Sequence, residues 1–218
     1  MISNIKQHGN EFKSMILKDT YRVRHLNDGD IDVIFDFGAN IGFFSVFMRM
    51  RHPNSKLIAV ESNMEVCAYL RQNVNMLNIH IDERPLADGS PMYMKDRGHL
   101  LDAIFTPNKQ KRSYRINSAS LGEFFDDYEC SLSDKYLLKF NCEGGEKYMM
   151  GDLLAEKILA NARQVGIQFH CRNEFTPFEE WLEKEDYENW IKETFGRTHN
   201  YIFYRYRKSV YNCNIVPK

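Results

Sequence analysis

The chain has 218 residues, a hydrophobic fraction of 43 % and a formal net charge of −1 from 29 basic and 30 acidic side chains. That length and apolar content suit one domain with a sizeable core, and the charge balance makes no electrostatic case for nucleic acid as the main partner. No apolar run reaches the roughly 18 residues that a membrane span needs, so no span is expected.

The five cysteines, Cys67, Cys130, Cys142, Cys171 and Cys213, are scattered and form no C-x-x-C pair. The pattern predicts free thiols in a reducing compartment, with neither a disulfide framework nor a metal site. Met1–Thr20 is polar and mixed and lacks the apolar core of a signal peptide, so the expected location is cytoplasmic.

Residues 1–30 read as an N-terminal extension and residues 31–218 as a single domain. Phe12, Met15 and Ile16 predict a short helix. Tyr21, Val23 and His25 alternate with Arg22 and Arg24, which predicts an edge strand. Asn27-Asp28-Gly29-Asp30 is a turn by composition. The first central strand covers about residues 32–37, and its near-continuous apolar content suits a parallel strand buried on both faces. Phe43, Phe44, Phe47 and Met48 give helical spacing from Ile41 to about Arg51, where Pro53 and Asn54 end the helix. Lys56–Glu61 is the second strand. Ser62 or Asn63 caps a helix carrying Val66, Tyr69, Leu70, Val74 and Leu77 on one face. Ile79-His80-Ile81 begins a third strand that runs towards Asp88.

Residues 90–117 are less regular and predict hairpins or a surface loop, with a basic run at Lys109-Gln110-Lys111-Arg112. Ser120 and Glu123 have capping-box spacing ahead of a short helix. Tyr136–Phe140 is the fourth strand, Gly144 and Gly145 open a helix through Leu159, and Val165–Phe169 is the fifth strand. Thr176-Pro177-Phe178-Glu179 starts a helix whose apolar face runs through Trp181, Leu182, Trp190, Ile191 and Phe195. Tyr201–Tyr206 and Tyr211–Val216 predict a terminal hairpin.

Alternating strands and helices predict a mostly parallel sheet with helices on both faces, whose ligand lies at the carboxyl ends of the strands. Asp36, Gly38, Glu61 and Asp88 fall at or just beyond those ends. The first loop is Gly38-Ala39-Asn40-Ile41-Gly42, which is not the G-x-G-x-x-G spacing that brings backbone N–H groups to a pyrophosphate. A nucleoside ligand without phosphates, such as S-adenosylmethionine, needs three things. Asp36 and the Gly38–Gly42 loop supply a close turn under the methionine moiety. Glu61 supplies a carboxylate able to accept both ribose hydroxyls. Leu86, Ala87 and Asp88 supply an edge for adenine.

Four segments resemble the FkbM-type methyltransferases. They are Phe35–Ser45, Ala59-Val60-Glu61-Ser62, Ser120–Phe124 and Leu138-Lys139-Phe140-Asn141-Cys142-Glu143-Gly144-Gly145-Glu146. The resemblance spans about residues 31–170, and the Lys-x-x-x-Glu-Gly-x-Glu run is its most specific part. It implies a class I methyltransferase, Rossmann-like sheet of seven strands with the last one antiparallel. It also implies methyl transfer from S-adenosylmethionine to a hydroxyl, often on a sugar or other small acceptor. The candidate catalytic residues are Lys139, Asn141, Glu143 and His170, with Glu146 beside them. The candidate cofactor residues are Asp36, Gly38, Ala39, Asn40, Gly42, Glu61, Ser62, Leu86, Ala87 and Asp88.

The chain departs from the family pattern twice. Asn141 and Gln168 stand where the family has carboxylates. An amide keeps the shape but cannot accept a proton near neutral pH. His170 then has the most suitable unperturbed pKa for a base. An alternative reading follows, a catalytically silent module that binds S-adenosylmethionine.

Overall fold

The computed structural model describes residues 9, 12–96, 103–142, 144–169, 177–182, 190–195 and 198–204. Ten strands are described: β1 Val33–Phe37, β2 Lys56–Val60, β3 His80–Asp82, β4 Pro91–Asp96, β5 Ala103–Thr106, β6 Ser113–Asn117, β7 Tyr136–Phe140, β8 Gln164–Phe169, β9 Trp190–Phe195 and β10 Thr198–Tyr204. Four α-helices are bounded within the described residues: α1 Phe43–Arg51, α2 Met64–Val74, α3 Leu121–Asp127 and α4 Leu153–Asn161. Residues 177–182 are also helical.

The main sheet has the order β3-β2-β1-β7-β8-β10-β9. β3, β2, β1, β7 and β8 are mutually parallel. β10 runs antiparallel to β8 and to β9. This is the mostly parallel, seven-stranded Rossmann-like sheet with a reversed last strand that the sequence predicts. The strand order turns outward on both sides of β1 and β7, so the switch point of the fold lies where the glycine loop leaves β1.

Period-2 alternation sorts the central strands between two cores. Val33, Phe35 and Phe37 of β1 pack with Ile58, Val60, Leu138, Phe140 and Ile167 against α3, α4 and the helix at 177–182. Ile34, Leu57, Ala59 and Leu137 face the other way, against α1, α2 and the N-terminal segment. Aromatic rings fill the first core: Phe37 stacks on Phe140 with centroids 4.9 Å apart and meets Phe124 edge-on at 5.1 Å. Helices cover both faces, which is why the strands read as continuous apolar runs.

Capping follows the sequence. The Asn63 side chain accepts from the Glu65 and Val66 N–H groups at the start of α2, and Ser120 with Glu123 forms a complete capping box on α3.

Four local expectations are corrected. Residues 21–25 are not a strand. Arg22 has φ 51°, which breaks the pleat, and Asp19 accepts from Val23 N at 2.8 Å. The segment crosses over the sheet instead. Tyr21 and Val23 are buried and His25 is exposed, while the Gln164 amide donates to Tyr21 O at 2.5 Å. The short helix expected through Phe12, Met15 and Ile16 is a π-helical turn, Lys13–Leu17. The helix expected from Gly144 splits into a 3-10 turn, Gly145–Tyr148, and α4. Gly151 at φ 87° separates them, and the Asp152 carboxylate caps α4. Finally, residues 190–195 are strand, not helix, because β10 completes their hydrogen bonds. The hairpin is therefore β9–β10, and Tyr211–Val216 lies outside the described residues.

β4, β5 and β6 form a second, three-stranded antiparallel sheet of order β5-β4-β6. The composition there shows turns but no clear alternation, so only hairpins or a loop were legible.

Candidate functional site

Strand β1 delivers the chain to the carboxyl rim of the sheet. Gly38 N and Ala39 N both donate to Val60 O, at 2.8 and 2.9 Å, which ties the loop to the end of β2. Gly38 has φ 72°, and a Cβ there would stand 1.9 Å from Asn141 O. Only glycine fits, because both the left-handed backbone and the close approach of the β7 end exclude a side chain. Gly42 is the N-cap of α1 at φ 92°, and a Cβ there would meet Leu70 Cδ1 at 2.8 Å. Asn40 between them is also left-handed, at φ 53°. The loop thus bends its backbone tightly against the ends of β2 and β7.

Glu61 sits just past β2. Its Oε2 accepts from Asn40 N at 2.9 Å, and its Oε1 accepts from Asn63 N at 2.8 Å. Each carboxylate oxygen keeps one lone pair beyond the bond it already accepts. Burial pushes the Glu61 carboxyl above its ordinary value, and the N–H groups of Asn63 and Asn40 and the charge of Lys139 pull it part of the way back. The side chain remains partly exposed, so it is an anchored acceptor facing the rim.

Asp36 and Lys139 are placed differently from the sequence expectation. They are direct cross-strand partners in the β1–β7 register. Both lie on the α1 face, with Asp36 at 0 % and Lys139 at 2 % exposure. Lys139 Nζ lies 2.8 Å from Asp36 Oδ1 and donates to Gly38 O at 2.7 Å and to Phe37 O at 3.2 Å. Two hydrogen bonds and the ion pair hold the buried ammonium beneath the loop, away from the position of a substrate oxygen. Ser45 Oγ of α1 donates to Asp36 Oδ2 at 2.6 Å. Burial works to lower the Lys139 pKa, but Asp36 outweighs it and the ammonium is held above its ordinary value. This ion pair shapes the loop from beneath. Ser45 is the participant that sequence reasoning passed over; its position on an otherwise apolar helix face was the available signal.

The end of β7 forms the other wall. Asn141 N donates to Phe37 O at 3.0 Å, which fixes the residue beside Gly38. Its Oδ1 is buried and has no hydrogen-bond partner. Glu146, fully buried, accepts from Cys142 N at 2.5 Å and from Gly144 N at 2.9 Å. Its carboxylate therefore staples the loop instead of facing outward as a base. Burial and the Glu146 charge push the Cys142 thiol well above its ordinary value, so it stays protonated and unreactive. Glu143 and His170 lie outside the described residues. Gln168 is partly buried within β8, opposite Asn200 of β10.

The remaining positions divide. Ala39 is buried at 3 %, and Ser62 at 8 % follows Glu61 directly. Leu86 and Ala87 are buried, and Ala87 N donates to Ala119 O at 2.9 Å. Leu86 O lies 2.9 Å from where a Cβ on Gly145 would stand, so this segment reaches the β7 loop. Asp88 is exposed, six residues past the end of β3, and its carboxylate accepts from Ser90 N. The structure therefore brings together the Gly38–Gly42 loop, Glu61, Leu86 and Asn141, and leaves Asp88 in a local turn.

This arrangement can hold a nucleoside-like ligand. It offers a backbone turn that no Cβ could enter, a fixed carboxylate with free lone pairs, and a buried oxygen that wants a donor. No protein-family model matches the chain, and no curated protein matches it in sequence. Solved structures match it in fold. The methyltransferase FkbM from Methylobacillus flagellatus KT is 12 % identical over 88 % of this chain, with a TM-score of 0.56. This chain covers 48 % of that one, so it spans about half of its length. A precorrin-6y C5,15-methyltransferase from Geobacter metallireducens GS-15 is 15 % identical over 85 % of this chain and 83 % of its own, with a TM-score of 0.48. The N-terminal domain of human METTL16, in complex with SAH, is 12 % identical over 87 % and 67 % of the two chains, with a TM-score of 0.45. Identities this low carry the fold alone, and the first of the three supports the Rossmann-like sheet described above.

Proposed function

We propose that the chain is an S-adenosylmethionine-dependent methyltransferase acting on a hydroxyl of a carbohydrate or other small hydroxylated acceptor. The observation that carries the cofactor assignment is the Glu61 carboxylate, held by Asn40 N and Asn63 N beside the glycine loop. A diol placed there would find two oriented acceptors whose positions are already fixed by the backbone, so little ordering would be needed on binding. Gly38 keeps the floor of the site open, and Asn141 Oδ1 gives a buried acceptor for a donor on the ligand. When bound, the cofactor supplies an electrophilic methyl group on a sulfonium, and the protein's part is alignment and exclusion of water. The choice of a hydroxyl acceptor rests on the motif resemblance, with Glu143 and His170 as the proposed proton acceptors.

Calorimetric titration with S-adenosylmethionine and, separately, with NAD tests the cofactor. Binding of the former alone is expected, and Glu61→Ala should abolish it. Undiminished affinity in that variant would remove the ribose assignment.

Two features favour the silent-module reading: the neutral amide of Asn141 at the end of β7, and the burial of the Lys139 ammonium in an ion pair with Asp36. Turnover of labelled cofactor against a panel of glycans separates the two readings. Asn141→Asp sharpens it, because restored turnover in that variant alone would assign the wild type to the silent class.

A further inference from the structure

The second sheet stands next to this site. Its two feet are joined by Ala119 N donating to Pro85 O at 3.0 Å and by Ser118 Oγ donating to Ser90 O. The Leu86 foot touches the loop after β7. In an antiparallel ladder, opposed residues share a face. Met92 and Met94, opposed to Ile116 and Tyr114, form one face, and both methionines are 1 % exposed. Tyr93 and Lys95, opposed to Arg115 and Ser113, form the other. There Tyr93 and Lys95 are half-buried and Arg115 is exposed.

The β5–β6 turn adds Lys109, Lys111 and Arg112, all exposed. Ser113 fastens that turn, since its Oγ accepts from Gln110 N at 2.9 Å and donates to Gln110 O at 2.8 Å. Residues 103–117 contain four basic side chains and no acidic one, in a chain whose net charge is −1. Among the described residues, none of Lys95, Lys109, Lys111, Arg112 and Arg115 is ion-paired. An unpaired, single-sign patch on a nearly neutral protein concentrates anions locally.

We propose that this cationic sheet docks a carboxylated glycan long enough to run from the β5–β6 turn to the rim at the sheet's feet. The inference rests on the methyl-transfer reading and narrows its acceptor to an acidic saccharide. Arg115 and Arg112 suit carboxylates through paired N–H donors, and the flexible lysines of the turn follow an irregular chain. Single-stranded nucleic acid asks instead for several rings on which successive bases stack. Among the described side chains, this face presents one ring, Tyr93.

Labelled oligogalacturonate is the probe, with a neutral malto-oligosaccharide and an oligouridylate as comparators and S-adenosylmethionine titrated in the same samples. The wild type should bind the oligogalacturonate best, and should lose about tenfold in affinity between about 50 and about 200 mM salt. Lys109→Ala, Lys111→Ala and Arg112→Ala together should weaken it about tenfold while cofactor affinity stays the same. Salt-independent binding, equal binding of the neutral glycan, unchanged affinity in the triple variant, or tighter binding of the oligouridylate would each overturn the proposal. Glycan binding without cofactor binding would leave the docking surface standing and remove the methyl-transfer reading. Cofactor binding without glycan binding would do the reverse.

Discussion

Asp36 and Glu61 end neighbouring parallel strands, yet their surroundings are opposite. Asp36 is fully buried and has an ammonium on one oxygen and a hydroxyl on the other. Glu61 is partly exposed and accepts only backbone N–H groups, one of them from the glycine loop itself. A carboxylate that is paired with an ammonium inside the sheet is part of the scaffold. One that is fixed in place but retains lone pairs towards solvent is available to a ligand. The two share strand parity, since Asp36 pairs with Ala59 and Glu61 stands two residues further on, but Asp36 lies inside β1 under α1, whereas Glu61 lies one residue past β2, where the chain turns along the rim.

Breaking the scaffold half should have the largest effect. Lys139→Met leaves the Asp36 charge buried and unpaired, and should cost about 3–5 kcal/mol in denaturant unfolding. Adding Asp36→Leu should recover most of that loss, because a buried pair replaced whole by apolar residues is often neutral. A double variant as unstable as the single would show that the pair does more than neutralise itself.

Gly38→Ala lies between the two halves. The left-handed backbone alone costs roughly 1–2 kcal/mol, and the new Cβ would also push on Asn141 O. Thermal unfolding should show the destabilisation, and cofactor titration should show no binding. A variant that binds normally would mean the loop does not form the floor of the site.

The smallest effect on stability, and the most specific effect on binding, is expected from Glu61→Gln. Affinity for S-adenosylmethionine should fall about tenfold, the loss typical of one charge-assisted hydrogen bond. The raised carboxyl pKa also sets the sign of a pH effect. A folded state that holds its proton more tightly gains stability below the ordinary value of 4.5, and loses that gain as pH rises through the higher folded value. The wild type should therefore lose stability relative to Glu61→Gln over that interval, and parallel melting curves across it would place Glu61 in solvent.

How much of this was legible beforehand depends on range. Asn63 and the Ser120–Glu123 box were readable because a cap is a contact over two or three residues. The five parallel strands were readable because burial on both faces leaves continuous apolar runs. Residues 190–195 were not readable, because an apolar spacing that fits a helix face fits a strand once β10 supplies its hydrogen bonds. The Asp36–Lys139 pair was not readable either. Its members are distant in sequence, and the β1–β7 register makes them neighbours.

By itself, the sequence determined the alternation of strands and helices, the glycine loop after β1 and the acid after β2, since each is written in local spacing and backbone preference. Only the tertiary structure decided which carboxylate the fold consumes and which it leaves for a ligand. It also decided that the cations of residues 109–115 belong to a second sheet whose foot, at Leu86, touches the loop after β7. Those outcomes depend on where each strand ends and on register across the sheet, and no local pattern encodes them.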